Sequence, residues 1–372
     1  MRFLGYAVAN VFETLLRLLP FPCRTGLIKI GKPQKDSPVF LTCNYHLTVQ
    51  RVKRALKGMD AYLLIANSRG INVWCAAAGG HLTNHEVISV LKTSGIEGLV
   101  GHRQVILPQL AATGVELKII KEKTGWRIIW GPVYAKDIPV FMQNKMKAGR
   151  MEREVKFPFI QRLEVAISWA FSLSLLAGII AAIFFPRVFV PLILFIWGLS
   201  LATFIFYPLY GSWLSSGKGS LTFSLLVWGV ILLALVLYSH LSSGISWRFL
   251  IRWGIISFVF VFITTLDLKG GSPLLAGGFE ELKVTIDEDK CRGAAFCETV
   301  CPRNCYDVNR KKHKAILPRA ERCVLCGACI IQCPFDALYF KNPEGEVILP
   351  GTMRKYKQNL LGKRVMKTGN NR

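Results

Sequence analysis

Cys323-Val324-Leu325-Cys326-Gly327-Ala328-Cys329-Ile330-Ile331-Gln332-Cys333-Pro334 decides how the C-terminal part of this chain is read. Four thiols at this spacing can wrap one iron–sulfur cube, and few other structures need cysteines so placed. A disulfide framework is the competing reading, but nothing else in a chain of 372 residues suggests a small secreted scaffold. Stepping back 32 residues finds a damaged copy of the same pattern. There Cys291 stands for Cys323, Cys297 for Cys329, and Cys301-Pro302 for Cys333-Pro334. Eight of the eleven cysteines lie in these two copies.

The first copy has Ala294 where the second has Cys326, and Cys305 where the second has Ala337. The complete run is that of bacterial ferredoxins, in which the fourth cysteine ligates the other cluster. That crossing assigns Cys301, Cys323, Cys326 and Cys329 to one [4Fe–4S] cluster. Cys291, Cys297 and Cys333 are left for the other, which suits a [3Fe–4S] cluster or an incomplete [4Fe–4S] cluster with a non-cysteine ligand. The pattern resembles ferredoxins that carry one three-iron and one four-iron cluster, including their spare cysteine shortly after the Cys-Pro. Cys305 reads as a small buried hydrophobe beside the cluster rather than a ligand. An α+β two-cluster bacterial ferredoxin domain is therefore expected over residues 279–345, followed by a basic tail, 346–372.

Upstream, the composition changes. The chain is 52% hydrophobic, too apolar for an ordinary soluble protein, and the excess is concentrated. Val165 to Phe185, Val188 to Tyr210, Leu221 to Ser239 and about Phe249 to Leu266 are each long enough to cross a bilayer. A four-helix transmembrane bundle is expected over residues 160–268, placing the chain in the cell (inner) membrane as a multi-pass protein. An even number of spans puts both soluble parts on one side. The basic segment Lys145 to Arg162 and Lys218 favour the cytoplasm for that side, while Arg248 and Arg252 argue mildly against. Reduced cluster cysteines favour the cytoplasm too. These spans contain no acid that would suggest ion transport, so they read as an anchor. Met1 to Leu19 is interrupted by Glu13 and Arg17 and lacks a cleavage site, so an amphipathic segment over 1–30 fits better than a signal peptide. The formal charge of +24 comes with no nucleic-acid motif and is read as membrane-related; the tail from Gly351 to Arg372, with seven Lys or Arg and no acid, suits anionic headgroups or free solvent equally.

Residues 31–145 alternate apolar runs with helical patterns. Val39 to Thr42, Ala61 to Ala66, Val105 to Leu107, Glu116 to Ile120 and Trp126 to Trp130 read as strands. Thr48 to Lys57 and Thr83 to Thr93 read as helices, with Thr83 as N-cap. This is an α/β pattern, whose ligands sit at strand C-terminal ends.

Three blocks in this half carry a resemblance. They are Gly70-Ile71-Asn72-Val73-Trp74-Cys75-Ala76-Ala77, His102-Arg103-Gln104-Val105-Ile106-Leu107-Pro108-Gln109-Leu110 and Gly131-Pro132-Val133-Tyr134-Ala135-Lys136-Asp137-Ile138-Pro139. They are similar to blocks shared by two corrinoid families. One is the large subunit of the corrinoid iron–sulfur protein of acetyl-CoA synthesis; the other is the membrane-bound corrinoid protein of mercury methylation. The likeness covers roughly residues 37–142. In its order of parts the chain resembles a fusion of the second protein with its two-cluster ferredoxin. The resemblance implies a Rossmann-like corrinoid-binding domain with a cobalamin-like corrinoid. It also implies a cap helix whose cysteine, here Cys75, lies below the corrin ring as a cobalt ligand. Asn72, Val73, Trp74 and Ala76 would shape that cap, and Thr42 and Asn44, after a strand, are further candidate contacts. Cys23 and Cys43 lack such context and read as structural.

The chain departs from the mercury pattern. It reads Ala76-Ala77-Ala78-Gly79-Gly80-His81, with an added small residue and no lysine, and no cysteine follows Cys333. A soft metal such as mercury would want terminal thiolates. These departures point to a non-mercury paralogue: a corrinoid-dependent methyltransferase component whose cobalt is reduced by the fused ferredoxin. The methyl donor implied is a methyl-folate or methyl-pterin system, with a low-potential electron donor feeding the clusters. Two rivals stay open at this point, the mercury methylation protein and a membrane electron-transfer ferredoxin without corrinoid.

Overall fold

The structure is a computed structural model and describes residues 10–17, 19–211, 217–243, 246–268 and 282–355. The chain divides into two compact units. The first joins 19–156 to 282–355, with 10–13; the second is built from 14–17 and the chain between 157 and 268.

The first unit opens with an α/β domain. Its five strands are β1 (Gly26–Ile30), β2 (Val39–Cys43), β3 (Ala61–Ala66), β4 (Gln104–Pro108) and β5 (Arg127–Gly131), in the order β1-β3-β2-β4-β5. β2 and β3 are buried along their whole length, as strands of a parallel sheet covered on both faces must be. β2 is parallel to both β3 and β4, and β4 to β5; only β1 runs antiparallel, at the edge beside β3. The chain passes from β2 to β3 on one side, then to β4 on the other, so the order reverses at β2. The C-terminal end of β2 is a switch point, where open α/β sheets form their ligand crevice.

The helices of this domain are α1 (His46–Ala55), α2 (Val73–Ala78), α3 (Asn84–Thr93), α4 (Leu117–Thr124) and α5 (Ile138–Gln143). Thr83 caps α3 as expected: its side chain accepts from His85 N, and Glu86 accepts from Thr83 N in a capping box. Two sequence expectations are corrected. Glu116 to Ile120 is not a strand: Glu116 takes the N-cap position of α4, a helix of 8 residues that turns Ile120 into the core and ends at Gly125, at φ +74°. Gly26 to Ile30 is not part of an N-terminal amphipathic segment but the edge strand β1. Of that segment, residues 10–15 are helical, and 1–9 and 18 lie outside the described residues.

The ferredoxin part repeats itself. α6 (Phe296–Val300) and α7 (Ala328–Gln332) begin and end 32 residues apart and pack on each other. The left-handed residues repeat as well, with Gly293 matching Leu325, Ala295 matching Gly327 and Asn304 matching Asp336. β6 (Lys283–Ile286) pairs with β9 (Leu338–Lys341), and β7 (Asp307–Asn309) with β8 (Lys314–Ile316). The domain runs past the expected boundary at 345, since β10 (Val347–Ile348) pairs with β9 and Met353, on α8 (Pro350–Lys355), is buried. The tail beyond 355 lies outside the described residues.

The second unit contains four helices long and apolar enough to span a membrane, at Phe159–Phe184, Val188–Ile205, Leu221–Leu241 and Trp247–Thr265. The first two pack as one hairpin and the last two as another. Leu176, Ile183, Leu194, Val230 and Leu241 are exposed on them, a surface suited to lipid rather than water. Trp228 Nε1 donates to Gly254 O at 2.9 Å, tying the second hairpin together.

Candidate functional site

The eight C-terminal cysteines separate into two groups. Cys329 has its thiol pushed up by burial first, then by the neighbouring thiols of Cys326, Cys323 and Cys301. Cys297 is pushed up to about 12 by burial, then by Cys333 and Cys291. Four thiols, Cys301, Cys323, Cys326 and Cys329, thus neighbour one another, as do three, Cys291, Cys297 and Cys333, and Cys305 is the eighth. Tyr306 O–H donates to Cys329 Sγ at 3.2 Å, and its own ionisation is pushed up mainly by burial. Thiols this buried stay protonated unless positive charge compensates them, which bound iron does. Among the described residues no three metal-ligating side chains form a site for a single ion. The donor set fits clusters.

The two groups carry their repeat into the hydrogen bonds. Cys305 N donates to Cys301 Sγ at 3.3 Å, and in the second copy Ala337 N donates to Cys333 Sγ at 3.4 Å. Cys305 is 1% exposed, and its thiol lies within reach of both Cys301 and Cys323. Its hydrogen bond is the largest influence on Cys301, drawing that thiol below the usual thiol range. Cys305 is thus a buried neighbour of the four-cysteine group. Beside the three-cysteine group, a hollow is lined by Cys291, Ala294, Cys297, Cys333 and Phe335, and Ala294 is exposed at it. Ala315 N donates to Cys291 Sγ at 3.4 Å from β8.

At the C-terminal edge of the α/β sheet stands the second constellation. β3 leads through Ser68 and Gly70 to α2, whose first turn holds Cys75. Asn72 caps that helix: its Oδ1 accepts from Cys75 N at 3.0 Å and its Nδ2 donates to Cys75 Sγ at 3.4 Å. Cys75 is exposed, whereas Cys43 is buried in the sheet and has its thiol pushed up by burial. Val73 and Ala76 point into the core, so of the candidate residues 72–76 Asn72, Trp74 and Cys75 offer side-chain surface. Gln109 Oε1 and His81 Nε2, near the same edge, are buried atoms without a hydrogen-bond partner. An exposed, amide-steadied thiol above a switch point, with spare polar atoms nearby, fits a large polar-edged cofactor.

Asn44 and Thr42 do not belong to that surface. Asn44 Oδ1 accepts from Ser68 N, Ser68 Oγ and Gly70 N at 2.8, 2.9 and 3.0 Å, and Nδ2 donates to Cys23 O at 3.2 Å. Asn44 therefore holds the loop after β3 in place, and Thr42 is 2% exposed within β2. The expectation that they contact a ligand is corrected for both.

Residues missed by sequence reading lie between the two constellations. The 3₁₀ turn Gln109–Thr113 follows β4 and packs against α2 on one side and α7 on the other. Gln332, at the end of α7, donates to this turn's end at Ala112 O and Val115 O, 2.8 and 2.6 Å away. A glutamine inside the apolar run Ala328-Cys329-Ile330-Ile331 was the available signal, since a buried amide needs partners.

Two family models match the chain. Residues 18–142 match the family described as CO dehydrogenase/acetyl-CoA synthase delta subunit, and residues 283–345 match the 4Fe-4S dicluster domain. Curated relatives include the acetyl-CoA decarbonylase/synthase complex subunit gamma of Archaeoglobus fulgidus, 36% identical over 117 residues, or 31% of this chain and 24% of the relative. That of Methanothermobacter thermautotrophicus is 37% identical over 121 residues, 32% of this chain and 26% of the relative. That of Methanopyrus kandleri is 31% identical over 128 residues, 34% and 27% of the two chains. The chain thus spans about a quarter of the length of these relatives, within the α/β domain.

Proposed function

We propose that this chain is a membrane-anchored corrinoid protein fused to its own ferredoxin, carrying methyl groups on cobalt and reducing that cobalt internally. The observation that carries the reading is the presence, in one compact unit, of an α/β domain matching the acetyl-CoA synthase family and a dicluster ferredoxin domain. A bound corrinoid supplies a cobalt that exchanges methyl groups only while kept reduced, and iron–sulfur clusters supply single electrons at low potential. Cys75 would hold the cobalt through its thiol, with Asn72 steadying that sulfur and Trp74 beside it in the sequence. Cys301, Cys323, Cys326 and Cys329 would hold a [4Fe–4S] cluster, able to supply electrons to the α/β domain. Cys291, Cys297 and Cys333 would hold the second cluster, able to accept electrons from a low-potential donor.

The matched relatives are named as subunits of a complex, which supports a protein partner here. The methyl donor we infer is a methyl-folate or methyl-pterin system. They lie on the acetyl-CoA side of the two-family resemblance, and mercury is not part of the proposal. The apolar helices anchor the unit in the cell membrane with its soluble parts in the cytoplasm.

Metal analysis and the visible spectrum of the full chain test this, with protein purified anaerobically in detergent from a corrinoid-supplied host. About one cobalt with about seven or eight irons per chain is expected, with a cobalt band altered in Cys75→Ala. Iron without cobalt overturns the methyl-transfer reading and leaves a membrane electron-transfer ferredoxin.

A further inference from the structure

The ferredoxin is joined to the α/β domain by an interior, not by a surface touch. Val300 and Ala328, on the two cluster helices, belong to the same buried cluster as Val73, Ala76 and Ala77 of α2 and Ala111, Ala112 and Val115 of the turn region; Cys326 packs against it. Beside this apolar contact, the Gln332 amide uses both of its N–H groups on Ala112 O and Val115 O, and its Oε1 accepts from Leu117 N at 3.3 Å. Leu117 is the first residue of α4, so one side chain serves the end of the turn and the start of the helix. The turn in turn presses on α2: a Cβ on Gly114 would lie 2.8 Å from Ala77 O and closer still to Leu82 O. Arg354 reinforces the seam, donating to Cys333 O at 3.1 Å and standing 3.8 Å from Glu116 of the α/β domain. A second seam pairs Val155 N with Pro302 O at 2.8 Å and Arg303 Nη1 with Val155 O at 3.1 Å.

We propose that Gln332 is a positioning residue for internal electron delivery: it locks the cluster helix α7 onto the 109–117 segment that packs against α2, so that the four-cysteine group and the Cys75 helix are held through that segment in one fixed pose. This rests on the corrinoid reading for what receives the electron, but not for the lock itself. α7 holds Cys329 of the four-cysteine group and runs directly into Cys333 of the other, so fixing Gln332 fixes the register of both groups. A buried amide with all three bonds made tolerates no slip, because a shift leaves two carbonyls and an N–H unpaired inside the protein. Delivery is then set by a constant separation rather than by a docking step.

The test uses the full chain loaded with clusters and corrinoid, comparing wild type with Gln332→Leu. Two quantities are read: the rate of cobalt reduction after flash reduction of the clusters, and hydrogen exchange at the amides of residues 112–118. Since small displacements cost large factors, roughly tenfold slower internal reduction is expected in the variant. Faster exchange at Leu117 is expected with it, while iron content, cluster EPR and direct cobalt reduction by an external chemical reductant match wild type. Because Gln332 neighbours a cluster ligand, Glu116→Leu, on the α/β side, is measured alongside and is expected to change both readouts in the same direction by less. Wild-type rate and wild-type exchange in both variants overturn the proposal. A wild-type protein that binds no cobalt overturns the corrinoid reading instead, and the exchange comparison still decides the lock.

Discussion

Ala294 shows what one residue does to a cofactor site. It stands at the place Cys326 holds in the second copy, flanked like it by left-handed residues, Gly293 and Ala295 against Leu325 and Gly327. The backbone is therefore already shaped to present a thiol there. Ala294→Cys is expected to raise iron by about one per chain and to remove the EPR signal of an oxidised three-iron cluster; metal analysis and EPR of the two proteins check it. The cysteine groups were legible in the sequence because cluster ligands recur at fixed local spacing. Asn44 and Gln332 were not. Their partners lie 21 to 26 and 215 to 220 positions away, so even where an apolar run marks an amide as interior, nothing local names the groups it bonds. Cys75 was legible only through resemblance, since a cysteine on a six-residue helix has no spacing of its own to read.

At the scale of elements, α2 and the turn after β4 act as a pair. Both leave the C-terminal edge of the sheet beside its switch point, and Gly114 lets them touch backbone to backbone. Gly114→Ala forces α2 away from the turn and is expected to cost about 1–3 kcal/mol, as overpacking does. A thermal shift of the detergent-solubilised protein, and a changed alkylation rate at the exposed Cys75, check it. Long, strongly patterned elements were readable from periodicity: β2, β3, α3 and the four membrane-length helices stand where they were expected. Short ones were not. The stretch Glu116 to Ile120 has alternating polarity over a few residues, which suits a strand or the first turn of a helix equally, and tertiary packing of Ile120 decides it.

At the scale of the molecule, the first unit is discontinuous, its two parts separated in sequence by the four apolar helices. Parts that share a buried core must lie on the same side of any bilayer, so the crossings between them must be even in number. Protease treatment of sealed vesicles, right-side-out and inverted, is expected to cut both the 19–156 and 282–355 regions from one side only; cleavage of the two from opposite sides contradicts it. The same discontinuity sets a schedule for synthesis. The face formed by Ala111, Ala112 and Val115 is made long before Val300, Ala328 and Gln332 exist to cover it. At about 5–20 residues per second it stays uncovered for roughly ten to forty seconds. During that interval the half-built protein is a sticky nascent chain tethered at a translocon, and its survival depends on whatever shields that face until the two cluster helices have been made.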